Sequence, residues 1–486
     1  MLFIGLDVGT TGTKAVVTDR EGHILGKGYH EYELTFPREG WVEQNAEDWW
    51  TAAVTAIRQA TAALPNTDEI AGIGLSTQGA TMLAVAADGK PLASAITWMD
   101  HRATAQAAAM TETFGVEAVY HKTGWRISPT CDASKVRWIR EEQPEVFAKA
   151  ACFVSTLEFM NHRLCGRFVV DPTNAAIRQM LDIGTGQWDP AILDFVGVTA
   201  DRLPEVQPVG HCVGNLTPAA AEALGLSTAV KVFNGAHDQY CAALGAGAVN
   251  TGDMLLATGT TWVVLGVTDQ PLYTPSRIAP GIHPVKGQYG AIASLVSAGS
   301  ALKWYRKVVG GDFREIDEEA AKRADSAADL LFYPYLCGAG FPHGKPEIRG
   351  TLTGLDLHHD KYDIARALME GVAFETALTL EQFSAQGMDV HRLMMTGGAS
   401  KSRLWSELVG YVTGCEIFRM QEPDTGCVGA SMIAAVGLGA FASYEEAAKV
   451  MCKAEPLPLP NEELFAFYKE KGARYRRHLE RAHTAL

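Results

Sequence analysis

The chain has 486 residues, 47% of them apolar, and a formal net charge of -14. A chain of this length exceeds what one hydrophobic core usually supports, so two domains of similar size are expected. The acidic balance sets aside nucleic acid and an anionic membrane as main partners, because both would repel a surface of that sign.

The first predicted elements are strands at residues 2 to 8, 14 to 19 and 24 to 29, a meander whose first turn is Gly9-Thr10-Thr11. The opening apolar run has no basic stretch before it and meets Asp7 at once, which argues against a secretory signal. A helical stretch at 47 to 63 and a strand at 70 to 76 follow, and this alternation points to an α/β architecture. In the turn, glycine lets the backbone approach an anion closely, while amides and threonine hydroxyls donate hydrogen bonds to phosphate oxygens. Asp7 is a candidate for holding a magnesium ion through water, and Lys14 for pairing with phosphate. An ordinary hairpin would account for one such turn taken alone.

Residues 76 to 103 read as two apolar runs joined at Asp88-Gly89, a hairpin carrying Gln78 at one end and Asp100 and Arg102 at the other. These three side chains can hydrogen-bond a polyhydroxylated substrate while Trp98 packs on its apolar face. A solvated sheet edge with a structural Asp-Arg pair is the alternative. Residues 219 to 226 look helical, and the strand at 231 to 238 delivers NGAHDQ, residues 234 to 239, to a loop. Asp238 there is either a general base for an attacking hydroxyl or a helix N-cap. His237 reads as structural, since nothing nearby suggests a nucleophile or a metal set. The Gly- and Ala-rich stretch from Gly245 to Gly252 marks the boundary, giving domains 1–246 and 247–486.

The second half opens by repeating the first. MLLATGTTWVVLGVTD, residues 254 to 269, echoes FIGLDVGTTGTKAVVTD, residues 3 to 19, with Gly259-Thr260-Thr261 standing 250 residues after Gly9-Thr10-Thr11. Paired hairpins of this kind suggest a duplicated fold gripping one phosphate chain from both sides, which makes a nucleotide the first ligand to test. Helices are expected near 297 to 309 and 361 to 385, then a strand at 392 to 396 leading into TGGASKSRLWSEL, residues 396 to 408, with a helix from about Ser400. That turn lets a flat ring or a ribose lie on bare backbone at a helix N-terminus, although it is not a dinucleotide fingerprint. Close helix packing explains the small-residue run at 426 to 431 at least as well as ligand contact does. No apolar stretch is long enough to span a bilayer. The nine cysteines have neither a CxxC pair nor metal-like spacing, which reads as reduced thiols in a cytoplasm-like compartment.

In this order, Asp-x-Gly-Thr-Thr-x-x-Lys, Trp-x-Asp-x-Arg, the mid-chain Asp, the second Gly-Thr-Thr and the late Gly-Gly-Ala resemble the FGGY family of carbohydrate kinases over nearly the whole chain. GTLTGLDLHHDKYDIARALMEG, residues 350 to 371, fits the family's C-terminal pattern with Leu368 as the one departure. CDASKVRWIREEQPEVF, residues 131 to 147, resembles its Lys-x-x-Trp segment, with Asp132 where Pro, Ser or Thr is usual. The resemblance implies two actin-like, ribonuclease-H-like domains closing on a cleft, with ATP held mainly by the second and sugar mainly by the first. It implies Asp238 as the base that activates a sugar hydroxyl, and Asp7 near a Mg2+ ion. Thr10, Thr11, Lys14, Gly259, Thr260, Thr261, Gly397, Gly398, Ala399 and Ser402 become the expected ATP-binding set. Thr77, Gln78, Trp98, Asp100, Arg102, Asp238 and Gln239 become the expected acceptor set.

Within the family the chain is most similar to xylulokinases and related pentulose kinases, so a ketopentose such as D-xylulose is the leading acceptor. Those kinases usually read Gln-Met-His-Gly where this chain has Ser76-Thr77-Gln78-Gly79. One paired or unpaired hydroxyl can decide between sugars, so another polyol, ketose or aldonate stays open. Glycerol kinases are a poorer match, because their Arg-Glu pair at this point is missing. A heat-shock-type ATPase would need a further peptide-binding domain, and a silent sugar sensor would not need Asp7, both Thr pairs and Asp238. The resemblance leaves a homodimer open.

Overall fold

In the computed structural model, which describes residues 1–484, the meander forms as expected. Strand β1 (Leu2–Val8) is apolar and buried almost throughout, as a strand covered on both faces must be. It pairs antiparallel with β2 (Gly12–Thr18), which pairs antiparallel with β3 (Ile24–Glu31). On its other side β1 runs parallel to β4 (Ile70–Thr77). Beyond it lie β5 (Cys212–Asn215) and β6 (Lys231–His237), giving the order β5-β6-β4-β1-β2-β3. Helix α1 (Ala46–Thr61), capped by Asn45, lays its alanine-rich buried face on this sheet.

The second half builds the same sheet. Strands β7 (Met254–Thr258), β8 (Trp262–Thr268), β9 (Ala279–Ile282), β10 (Tyr289–Leu295), β11 (Arg392–Gly397), β12 (Glu416–Met420) and β13 (Ala454–Pro456) adopt the order β9-β10-β8-β7-β11-β12-β13. Parallel β7, β11 and β12 correspond to β1, β4 and β6, and antiparallel β8 and β10 correspond to β2 and β3. The repeated Gly-Thr-Thr hairpins are therefore the β1–β2 and β7–β8 turns of a duplicated fold.

Two helices join the halves. Helix α2 (Asp238–Gly245) and helix α6 (Thr425–Gly437), which follows α3 (Gly299–Val309), α4 (Lys361–Ser384) and α5 (Arg403–Thr413), are rich in small residues. They share one core with Phe3 and Phe233 of the first sheet and Leu255, Leu265 and Met394 of the second. The closeness depends on glycine: a Cβ at Gly429 of α6 would stand 1.9 Å from the Cys241 carbonyl oxygen of α2, and Cβ atoms at Gly5 and Gly74 of the first sheet would stand 1.8 and 1.9 Å from the Cys427 and Ala430 carbonyl oxygens of α6. The run at 426 to 431 is thus explained by packing.

The connection from β4 to β5 carries a helical insertion with its own core around Met82, Met110, Val136, Phe153 and Ile192. The expected hairpin within it is irregular. Its turn closes through Ala86, Gly89 and Lys90, and Met82 pairs with Ile96. The flanking runs then separate, Leu83–Val85 to Cys152–Val154 and Ala95–Ile96 to Glu43–Gln44. Among the described residues, no helix is long and apolar enough to cross a membrane.

Candidate active site

The parallel strands of the first sheet end level with one another. Asp7 stands opposite Ser76, Val8 opposite Thr77, and Thr77 opposite His237. The carboxyl ends of adjacent parallel strands are where α/β sheets receive ligands. Here four side-chain oxygens, Thr77 Oγ1, Gln78 Oε1, Asp238 Oδ1 and Gln239 Oε1, are buried without a hydrogen-bond partner. An orphaned buried polar group costs about 1–3 kcal/mol, so the group marks a place for a hydrogen-bonding ligand.

Asp238 is the first residue of α2, and the capping position falls to His237, whose side chain makes no cap bond. The helix-cap reading of Asp238 is thereby corrected: its Oδ1 accepts no helix amide and has no hydrogen-bond partner. His237 is held from behind, its backbone N–H donating to Thr173 Oγ1 at 2.8 Å. Its Nε2 lies 3.4 Å from Asp238 Oδ1.

Asp7 Oδ1 accepts a 2.6 Å hydrogen bond from Ser76. Burial pushes its carboxyl up to about 6, helped by the charges of Asp238 and Asp424 and opposed by Ser76 and Lys14. A carboxylate crowded by other carboxylates calls for a cation. Among the described residues no three His, Cys, Asp or Glu side chains form a metal cage. Magnesium suits such a site, since it is commonly held by one or two carboxylates, waters and substrate phosphates. Asp7 fits that role, with Asp238 in the same field.

The first Gly-Thr-Thr turn is tied to its surroundings at every residue. Tyr32 Oη donates to the Gly9 carbonyl at 2.5 Å, Gln44 Nε2 to the Thr10 carbonyl at 2.5 Å, and Trp98 Nε1 to Thr10 Oγ1 at 2.9 Å. The Thr11 carbonyl accepts from the Tyr32 amide. Lys14 is paired with Asp424 at 2.6 Å, a partner from the second half. Trp98 keeps its ring partly exposed. Asp100 and Arg102 form the structural pair that the sheet-edge alternative expected, but their side chains are buried rather than solvated. Asp100 accepts from the Val42 amide at 2.6 Å and from Arg102 Nη2 at 2.7 Å, and Arg102 also reaches Glu43 at 2.8 Å. The guanidinium stacks 3.7 Å from the Trp41 ring centroid.

In the second half, Thr258 at the end of β7 organises the late Gly-Gly turn. Its hydroxyl donates to the Thr396 carbonyl at 2.5 Å and accepts from the Ala399 and Ser400 amides at 3.1 and 3.2 Å. Gly397 has φ +93°, a left-handed conformation natural to glycine, and Gly398 N–H bonds the Thr258 carbonyl. The helix expected from about Ser400 begins later, at Arg403, after a 3-10 turn over Ala399–Lys401. Ser402 caps it and donates its hydroxyl proton to Asp317. The second Gly-Thr-Thr turn abuts the start of α3, with Ser300 N–H on the Thr260 carbonyl and Lys303 Nζ 3.0 Å from Thr260 Oγ1. Thr261 lies at the same turn, with Oγ1 3.5 Å from the Val296 carbonyl.

The two sets of strand ends meet at the start of α6. A Cβ at Gly426 would sit 3.5 Å from Asp7 Cγ, while Thr425 Oγ1 lies 3.2 Å from Thr396 Oγ1. Sequence reasoning missed Gln44, Thr258, Lys303, Asp424 and Thr425. Asp424-Thr425 directly precedes the small-residue run, and its place before a helix was the available signal.

The comparisons with known proteins agree with this architecture. Residues 2–245 match the model of the FGGY family of carbohydrate kinases, N-terminal domain, and residues 254–438 match that of its C-terminal domain. The chain belongs to the FGGY family of carbohydrate kinases. It is 30% identical to a xylulose kinase of Bacillus subtilis, over 92% of this chain and 90% of the other. It is 28% identical to a gluconokinase of Bacillus licheniformis, over 91% and 88%. A crystal structure of a xyloylose kinase from Brucella ovis superposes with TM-score 0.91 at 26% identity, covering 100% of both chains. This FGGY chain is therefore an ATP-dependent carbohydrate kinase with two actin-like ATPase domains.

Proposed function

We propose that this kinase transfers the γ-phosphoryl group of Mg-ATP to a ketopentose such as D-xylulose, with Asp238 as general base. The observation that carries the reading is the set of orphaned oxygens on Thr77, Gln78, Asp238 and Gln239, which together suit an acceptor rich in hydroxyl donors. The relative named xylulose kinase supports a pentulose within that class. The gluconokinase relative makes an aldonate the second reading.

Asp238 accepts the proton of the acceptor hydroxyl as its oxygen forms the new bond to the γ-phosphorus, and the bond to the ADP oxygen breaks. The Gly9–Thr11 and Gly259–Thr261 turns supply amides and hydroxyls to phosphate oxygens from opposite halves. Gly397, Gly398 and Ala399 offer bare backbone to the adenosine, with Ser402 holding the helix behind them. Asp7 would hold a magnesium ion, which would supply charge neutralisation for the phosphates. Asp100 and Arg102, locked with Glu43 and stacked on Trp41, shape the acceptor pocket. The nine free thiols suit a reducing, cytoplasmic setting.

An ADP-release assay across ketopentoses, ketohexoses, polyols and aldonates tests the acceptor, with the pentulose expected to give the highest kcat/KM. Asp238→Asn is expected to fold normally and to lower kcat by about 10²- to 10⁴-fold. Near-normal turnover in that variant overturns the assignment of the base.

A further inference from the structure

We propose that Gln44 is a positioning residue that fixes the hydrogen-bonding polarity of Gln78, and thereby selects a neutral polyhydroxylated acceptor over an aldonate. The inference rests on the carbohydrate-kinase reading of this site and goes beyond it to the charge class of the substrate.

The polarity follows from one fixed end. The Thr10 carbonyl can only accept, so the Gln44 group facing it at 2.5 Å is its NH2. Gln44 then turns its oxygen the other way, where it accepts from Gln78 Nε2 at 2.8 Å. Reversing Gln78 would set oxygen against oxygen, and reversing both would set the Gln44 oxygen against the Thr10 carbonyl. Gln44 is 1% exposed and Gln78 is 2% exposed, so water cannot easily compensate either reversal. The chain of constraints leaves Gln78 Oε1 as the terminal atom, buried and without a partner.

A hydroxyl satisfies that oxygen by donating to it. A carboxylate, which has no proton to donate, would place acceptor against acceptor close to the ionisable Asp7 and Asp238. Arg102 is already paired with Asp100 and Glu43, and Lys135 is turned to the Ala80 carbonyl at 2.6 Å. Because the fixed end is the first Gly-Thr-Thr turn, the phosphate-side hairpin itself sets what the acceptor side can recognise.

The test measures kcat/KM for a neutral ketopentose and for an aldonate of the same carbon number, with thermal denaturation alongside. Wild type is expected to favour the neutral acceptor by at least about a hundredfold. Gln44→Leu frees the Gln78 amide to turn its NH2 to the pocket, and is expected to cut that preference at least about tenfold through a lower KM for the aldonate. Gln44→Glu still accepts from Gln78 Nε2 and is expected to keep the preference, although its lost bond to Thr10 lowers kcat. Equal or better use of the aldonate by wild type overturns the proposal, as does an unchanged preference in a folded Gln44→Leu. If Gln44→Leu does not fold, loss of the preference in Gln44→Glu overturns it instead. Phosphorylation of no acceptor at all defeats the kinase reading and the proposal with it, whereas use of aldonates alone defeats the proposal and the ketopentose assignment and leaves the carbohydrate-kinase reading standing.

Discussion

At the residue scale, Asp7 is a buried carboxyl whose charge opposes stability. Its folded carboxyl titrates at about 6, above the ordinary value of 3.8, chiefly through burial. A group with a raised folded value binds its proton more tightly in the native state, so its ionisation destabilises the fold as pH rises from about 4 through 6. Asp7→Asn keeps an oxygen to accept from Ser76 and removes the crowded charge. We expect it to raise Tm by a few degrees at pH 7.5, with the gain shrinking as pH falls below 6 and gone by about 4. The same variant is expected to raise the Mg2+ concentration for half-maximal activity, and wild type to show a similar rise on acidification below 6. An equal Tm at both pH values, or unaltered Mg2+ dependence, would refute the assignment. The place of Asp7 at the end of a buried strand beside Gly-Thr-Thr was legible in the sequence. Asp132 was legible only as a departure. The structure gives it a partner far along the chain, Arg178 at 3.0 Å, with Glu158 on the other side of the same guanidinium at 2.9 Å. No local pattern announces a pairing across that separation.

At the element scale, helix α6 depends on contact rather than on intrinsic preference. Its sequence TGCVGASMIAAVG includes glycines, which disfavour helix, and it has no side-chain cap. What holds it is the close approach to Gly5 and Gly74 and to the Cys241 carbonyl of α2. Because its first turn also lies against Asp7, packing at the back of the sheet sets geometry at the front. Gly5→Ala places a methyl group 1.8 Å from the Cys427 carbonyl oxygen and must displace the helix. The expected cost is about 1–3 kcal/mol, read by denaturant unfolding, together with a lower kcat as Asp424 and Gly426 shift from Lys14 and Asp7. Full stability with full activity would show that the helix position is not constrained in this way. The strands and helices expected from periodicity end within a few residues of their observed bounds, whereas the strands Cys212–Asn215, Ala279–Ile282, Tyr289–Leu295 and Glu416–Met420 and the long helix Glu462–Thr484 were not read from it. The start of α5 was not, because the 3-10 turn at Ala399–Lys401 is set by Thr258 reaching over from another strand. The acceptor-side hairpin was legible as a turn but not as a sheet, since its two arms find different partners.

At the scale of the whole molecule, the duplication was readable because both copies of the turn keep the Gly-Thr-Thr sequence between apolar strands. The way the copies lock together was not. Each sheet has its own core, yet α2 and α6 lie in a third core to which both sheets contribute. Helix α6 comes from the second half of the chain but covers β1 and β4 of the first. A cut after residue 246, the boundary expected from composition, therefore strips the first sheet of the helix that buries its face. We expect the 1–246 fragment to lack a cooperative thermal transition and to expose apolar surface to a hydrophobic dye, and equimolar 247–486 to restore both folding and kinase activity. The intact chain should unfold in urea with circular dichroism and tryptophan fluorescence tracing one curve, because neither half can lose α2 and α6 without exposing the shared layer. A 1–246 fragment that melts cooperatively alone would mean that the shared core is a hinge between independent bodies, with closure free of any cost to folding. Failure of the fragment alone, with rescue by its partner, would mean that the cleft is held by the same packing that stabilises both halves.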